Sequence, residues 1–203
     1  MTAPTPRFLL LGGIALDGVA PDAANAVLTQ SKVVGLLAIL LLSPDGTYQR
    51  RDRIVGWLWP ELDQAHARTA LRKAVHLARS VFGETVIGNR GDEELVLTAG
   101  AIGCDVHELR DAGRRGHLAR AVELYRGPLM PGFHLSGCHD FDAWLEDQRT
   151  ELHETTVRAC LELARLLAAE ANATEAANYA RKAARLAGPN ERVLRRSLVM
   201  LDR

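Results

Sequence analysis

One stretch of the chain, His66 to Phe82, divides more cleanly than any other into two chemical halves. Advancing about 100° per residue, as a helix does, puts Ala67, Ala70, Leu71, Ala74, Val75, Leu77, Ala78, Val81 and Phe82 on one half of the cylinder. Arg68, Thr69, Arg72, Lys73, His76, Arg79 and Ser80 fall on the other half, with no carboxylate among them. An apolar stripe this wide has to be buried against other elements, so the basic half is expected to face outward. Asp63 is the candidate N-cap of this helix, and Gly83 stands at the usual C-cap place.

The segments around it predict a small domain. Arg7 to Leu16 is apolar with a break at Gly12-Gly13, which predicts two short strands. Residues 17–30 are turn-rich, and their pattern leaves the element open. Ser31 to Leu42 predicts a buried helix with Ser31 as candidate N-cap, followed by a turn at Ser43-Pro44-Asp45-Gly46. Arg50 to Trp59 predicts a short helix stopped by Pro60. Beyond Gly83 come two short strands, around Thr85-Val86-Ile87 and over Glu94 to Thr98. The turn between them is expected at Gly88-Asn89-Arg90-Gly91-Asp92. Strands, three helices and a hairpin make the order of a winged helix-turn-helix. Its core is expected around Leu36, Leu37, Leu40, Ile54, Leu58, Leu71 and Val75.

The character changes around Ala101 to Asp105, and the domain boundary is placed near Gly103, giving domains over 1–103 and 104–203. The second half is expected to be all helix: Val106 to Asp111, His117 to Tyr125, Phe141 to Glu170, Thr174 to Leu186 and Asn190 to Leu201, with a loop over Gly127 to Gly137. Small and apolar side chains at Ala159, Leu163, Ala164, Leu167, Ala180, Ala183 and Leu186 should interdigitate between antiparallel helices. The fold class is therefore mainly α with small β elements. The chain stops at Arg203, after a helix that resembles the first of a new repeat pair, so it is expected to be the N-terminal part of a longer protein.

Charge restricts the function further. Lys plus Arg and Asp plus Glu both number 25, which argues against a protein that coats nucleic acid by net charge alone. Between Arg50 and Arg90, however, eight basic residues face four acidic ones. Arg51 belongs to that cluster, and Arg90 sits on the expected hairpin, where a wing would touch phosphate or enter a minor groove. Glu61 and Asp63 suit the start of the long helix but would repel phosphates, as would Asp92, Glu93 and Glu94. Three widely spaced cysteines (Cys104, Cys138 and Cys160) fit a reducing cytosol. The longest apolar run, Val33 to Leu42, is about half a membrane span, and the first residues carry no basic leader.

Other clusters carry less. His134, Cys138 and His139 lack a fourth ligand and a second paired motif, so no metal is expected. Glu151, His153 and Glu154 have no nucleophile or oxyanion donor spaced to join them, and Gly12-Gly13 has no phosphate-binding pattern behind it. No cofactor and no catalysis are expected. Trp57, Trp59 and Trp144 read as packing residues.

The run RRDRIVGWLWPELDQAHARTALRKAVHLARSVFG resembles the helix-turn-helix of OmpR/PhoB-type winged helices, and more specifically that of the Streptomyces antibiotic regulatory protein (SARP) family. The resemblance lies in Arg51-Asp52-Arg53 and Leu58-Trp59 of the second helix, and in Ala67-Arg68 and Leu71-Arg72 of the third. Arg50 and Leu77 depart from it, standing where members often have a Ser cap and an arginine. Tyr125 to Phe133, Phe141 to Glu154 and Glu175 to Glu191 resemble the bacterial transcriptional activation domain that follows in those proteins. The last piece is also similar to a tetratricopeptide helix, with Ala176, Tyr179, Ala183, Leu186 and Pro189 at the expected places.

The resemblance implies promoter binding, usually by dimers on repeated half-sites, and activation through RNA polymerase. Together the helix pattern and the resemblance point to double-stranded DNA as partner. Arg68, Thr69 and Arg72, near the helix N-terminus, are the expected base readers, with Lys73 and Arg79 at phosphates and His76, Arg90 and Arg51 beside them. The alternative is a protein-interaction or sensory module built on a degenerate winged helix.

Overall fold

The computed structural model describes residues 5–44 and 46–187. They form two compact units, each made from two stretches of chain. The first takes the residues up to His107 together with Met130–Glu146. The second takes Glu108–Leu129 and the chain from Asp147 onward. The expected helix over residues 190–201, Pro189 of the repeat signature, the tail up to residue 4 and Asp45 of the turn lie outside the described residues.

The first unit is organised by α2 (Ser31–Leu42), in which every residue from Val33 to Leu42 is buried. Gly35 permits this density, since a methyl group there would sit 3.1 Å from side-chain carbons of both Leu58 and Leu135. Packed on α2 are α1 (Pro21–Leu28), α3 (Arg51–Leu58) and α4 (Gln64–Phe82). Helix α1 occupies a turn-rich stretch whose element the sequence leaves open. Pro21 opens it, where a fixed φ and a missing N–H cost nothing, but only Val27 is buried, so no periodic stripe announces it.

Ser31 is not the cap of α2. The first helical carbonyl belongs to Gln30, which accepts from Val33 N and Val34 N, and Ser31 is already the first helical residue. Helix α3 is one residue shorter at each end than expected, because Arg50 joins a strand and Trp59 leaves the helical conformation. Helix α4 starts two residues early, at Gln64. Its cap is Asp63 as expected, with Asp63 Oδ1 accepting from His66 N at 3.0 Å. That bond, with the His66 ring, holds the Asp63 carboxyl below the usual carboxylate range. Gly83 ends the helix at φ 102°.

Two small sheets complete the unit. Strand β1 (Arg7–Leu9) pairs antiparallel with β2 (Ala15–Asp17). The second sheet is antiparallel in the order β3-β5-β4, with β3 (Gln49–Arg50), β4 (Ile87–Arg90) and β5 (Glu94–Leu97). Gly88, Asn89 and Arg90, expected in the turn, are strand residues opposite Val96, Leu95 and Glu94. The chain reverses over Gly91 to Glu93 instead, where Gly91 takes a φ of 56° and Gly88 has no positive φ. The left-handed backbone of the turn selects the second glycine, not the first. Strand β6 (Gly103–Cys104) lies parallel to β1. Directly after it, the buried Asp105 carboxylate accepts from Leu10 N at 2.9 Å and Leu11 N at 3.0 Å.

The second unit is helical: α5 (Asp105–Arg114) from Glu108, α6 (Leu118–Leu124), α7 (His139–Ala169) from Asp147, and α8 (Ala173–Ala187). Residues 127–138 contain no helix. Val122, Val157, Cys160, Leu161 and Ala183 form a buried cluster that joins α6, α7 and α8. Ala164, Ala180 and Ala183 are fully buried, while Leu163, Leu167 and Leu186 are half-buried at its margin. Burial pushes the Cys160 thiol up to about 11, so it stays a neutral, apolar part of this core.

Helices α5 and α7 end in the same way. His117 N donates to Ala112 O at 2.9 Å after α5, and Asn172 N donates to Leu167 O at 2.9 Å after α7, each a six-to-one closure around one left-handed residue. That residue is Gly116 in the first case and Ala171, at φ 61°, in the second. Ala171→Gly should therefore stabilise the helical unit by about 0.5–1 kcal/mol in urea denaturation, because relief of the left-handed strain exceeds the extra entropy of the unfolded glycine. Ala183→Glu should do the reverse and cost about 3 kcal/mol or more by burying an unpaired charge. A variant that melts like the wild type would put Ala183 at the surface.

Candidate nucleic-acid interface

Helix α4 turns its apolar stripe inward. Ala67, Leu71, Ala74, Val75 and Ala78 are buried, and the stripe packs on α1, α2 and α3. The opposite face therefore points to solvent, and it is continuous with the β4–β5 hairpin through an open groove lined by Arg51, Arg68, Thr69, Arg72, His76 and Arg79. Six of the eight residues singled out in the sequence thus line one groove. Lys73 is exposed on the same helix, and Arg90 lies at the end of β4.

Their bonding divides them. Arg72, Lys73 and His76 are exposed. Arg72 donates to Thr69 Oγ1 at 2.9 Å, and Thr69 in turn donates to Ala65 O at 2.9 Å, one turn back. Among the described residues Lys73 and His76 have no hydrogen-bond or ion-pair partner. These three side chains form the part of the face with no acid paired to it, while Glu84 and Asp92 line the same groove.

Arg79 and Arg51 are tied into the hairpin. Arg79 donates to Ile87 O from Nε at 3.1 Å and from Nη2 at 2.6 Å, and to Asn89 Oδ1 at 3.3 Å. Arg51 Nη2 donates to the same Asn89 oxygen at 3.0 Å. Burial, with the neighbouring Arg79, lowers the pKa of the Arg51 guanidinium. One amide thus joins α3, α4 and β4. Asn89 was expected only as a turn residue, and nothing in its sequence context marks it as the acceptor for two arginines.

Arg68 and Arg90 are held by acids. Arg68 Nη2 lies 2.8 Å from Asp52 Oδ1 and 3.4 Å from Glu93 Oε2, so its pKa is raised, and the Asp52 carboxyl is held below its usual range by the same bond. Arg90 pairs with Glu94 and lies 4.2 Å from the centre of the Tyr48 ring. Neither Arg51 Nε nor Arg68 Nε reaches an acceptor, although both are shut off from solvent. Asp52 and Glu93 are the residues that sequence reasoning did not place in this site. The sequence does show Asp52 flanked by Arg51 and Arg53, but not that it reaches Arg68. Of the packing residues, Trp57 and Trp144 stack at 5.5 Å, and Arg53 covers Trp57 at 4.1 Å.

Arg79→Ala should thus act on the hairpin rather than on the helix. It removes two charge-assisted bonds to Ile87 O, so a loss of about 1–3 kcal/mol is expected. Hydrogen exchange should show faster opening of the β4 and β5 amides, with α2 amides changed only as far as the global stability falls. Unchanged exchange in the hairpin would mean that Arg79 does not anchor it.

Residues 104–203 match the family described as "Bacterial transcriptional activator domain". No curated protein matches the chain. Among solved structures, Mycobacterium tuberculosis EmbR in complex with a low affinity phosphopeptide is similar, with a TM-score of 0.52 at 17% identity, covering 98% of this chain and 68% of that one. At that identity the likeness concerns the fold: a winged helix followed by a helical, tetratricopeptide-like domain. No single helix among the described residues is long and apolar enough to cross a membrane. The match of its second half to the activator family, with the shared fold, supports a transcriptional regulator of the SARP type.

Proposed function

We propose that this protein is a sequence-specific, double-stranded-DNA-binding activator that reads promoter repeats with α4, as a homodimer on DNA, and contacts RNA polymerase. In this reading residues 1–103 supply the DNA-binding function and residues 104–203 the activating one. The protein works in the cytoplasm as a binding protein without catalytic activity. The observation that carries the reading is the patch of Arg72, Lys73 and His76, paired with no acid among the described residues, on the solvent face of a helix whose other face is buried. At about 1.5 Å per residue α4 is some 28 Å long, enough to lie along a major groove.

Arginine presents a planar fork of donors that matches a guanine edge, and lysine presents a point charge that suits phosphate. We therefore assign base reading to Arg68, Thr69 and Arg72, and phosphate contact to Lys73 and His76. Arg90, beside the turn of the hairpin, is assigned to phosphate or the minor groove. Arg51 and Arg79 are assigned a double role, holding the hairpin while adding positive potential to the groove. The ion pairs at Arg68 and Arg90 favour the second reading, a protein-interaction module in which the winged helix no longer reads DNA.

The two readings separate in one experiment. Duplex selected from a random pool by the wild-type chain is titrated with Arg72→Ala and Lys73→Ala. Arg72→Ala should cost about 1–3 kcal/mol on the selected site and relax preference at one base position. Lys73→Ala should weaken binding on every sequence alike and reduce the salt slope by about one unit. A folded double variant that binds the selected site as tightly as wild type removes α4 from DNA reading and leaves the interaction module.

A further inference from the structure

Two carboxylates hold the first arginine of α4. Asp52 comes from the first turn of α3 and Glu93 from the turn between β4 and β5, and both lie against the same nitrogen of Arg68, at 2.8 and 3.4 Å. The arrangement is built into the backbone. Arg51 N donates to Glu93 O at 2.8 Å, which pins the hairpin turn to the start of α3 one residue before Asp52. The Arg51–Asn89–Arg79 bonds then fix the hairpin against α4. The side chains of Arg68, Asp52 and Glu93 are 37%, 43% and 55% exposed, a setting in which ion pairs add little to the stability of a fold. Stability alone therefore gives no reason for two acids on one exposed arginine.

Their effect on a polyanion is larger. Arg50 also lies 3.9 Å from Asp52, but an arginine whose charge is matched by two carboxylates offers little free positive charge to an approaching phosphate, so it adds little to sequence-independent binding. A guanine edge offers something different, two acceptors spaced for the guanidinium fork, at short range and only at the matching base.

We propose that Asp52 and Glu93 are specificity-determining residues that hold Arg68 back from the phosphate backbone and release it only to a matching base edge. The inference rests on the reading of α4 as a DNA-binding helix. The acids act through Arg68 by competition: whatever draws the arginine out must replace both carboxylates and tolerate their exposed charges nearby. A phosphate does not meet that condition, and a bidentate base contact does. The residues set how much the protein prefers its site over bulk DNA, rather than how tightly it binds the site.

The test uses the full chain with Asp52→Asn and Glu93→Gln, singly and together. Binding is measured by fluorescence anisotropy on the duplex selected by the wild type and on an unrelated duplex of equal length, across a salt series. The double variant should bind the unrelated duplex about tenfold more tightly, with a log–log salt slope steeper by about one unit. Affinity for the selected duplex should rise less, so the ratio between the two falls. Glu84→Gln is the control, since Glu84 lines the same groove without an ion-pair partner among the described residues. It should shift both duplexes equally. In an Arg68→Ala background the Asp52 and Glu93 changes should leave the ratio where it is. If the double variant unfolds, the single variants carry the same comparison.

An unchanged ratio in folded variants, or the same fall without Arg68, overturns the inference while the DNA reading stands. A wild-type chain that selects no duplex and retains none at any salt overturns both.

Discussion

From Val33 to Leu42, helix α2 offers no side chain to water, so everything around it must supply the solvent-facing surface of its unit. Each large aliphatic side chain buried in this way contributes about 1.5–3 kcal/mol. That concentration of apolar area fixes where α1, α3 and α4 can lie. Helix α4 packs on α2 and buries Ala67, Leu71, Ala74, Val75 and Ala78, and no rotation about its axis keeps that stripe dry except the one observed. The outward direction of Arg72, Lys73 and His76 is thus a consequence of hydrophobic packing on the other side of the helix, not of any interaction these side chains make.

The basic residues of this unit are not equivalent, although they look so in a helical projection. Arg79 and Arg51 spend their donors on Ile87 and Asn89 and set the position of the hairpin. Arg68 and Arg90 carry acids. What remains for an outside partner without prior exchange is a smaller patch than the charge count suggests. Part of the local excess of positive charge between Arg50 and Arg90 is met by Glu93 and Glu94 just beyond it. The excess is partly internal to the fold.

Much of this order was legible in the sequence, and the failures have physical causes. Helix α4 could be found because its period, its Asp63 cap and its Gly83 stop all agree. The core positions Leu36, Leu37, Ile54, Leu58 and Leu71 are all fully buried, as their spacing required. Helix α1 was missed because it buries only Val27, so it has no stripe to detect. The hairpin turn expected over Gly88 to Asp92 begins three residues too early because both of its glycines look alike in sequence, while only Gly91 takes a left-handed backbone. The pairings of Arg68 with Asp52 and of Arg79 with Ile87 join residues 16 and 8 positions apart on different elements, and no local pattern encodes them. Helix periodicity reports which face a residue occupies. It does not report which residue of another element comes to meet it.

Asp105 has a further implication for how such chains can be assembled. Its carboxylate accepts from the N–H groups of Leu10 and Leu11, at the end of the first strand, and Cys104 beside it pairs with Phe8. Yet both residues belong to the stretch, beginning at position 104, that matches the activator family. The first two residues of the family-matched segment therefore complete the sheet of the preceding winged helix. A winged helix grafted from this chain onto a different effector would lose its closing strand and the acceptor for two buried amides. A junction placed after His107 would retain both. The family match begins at position 104, but the halves it marks off are not interchangeable cassettes: the grammar of the first is finished by the opening letters of the second.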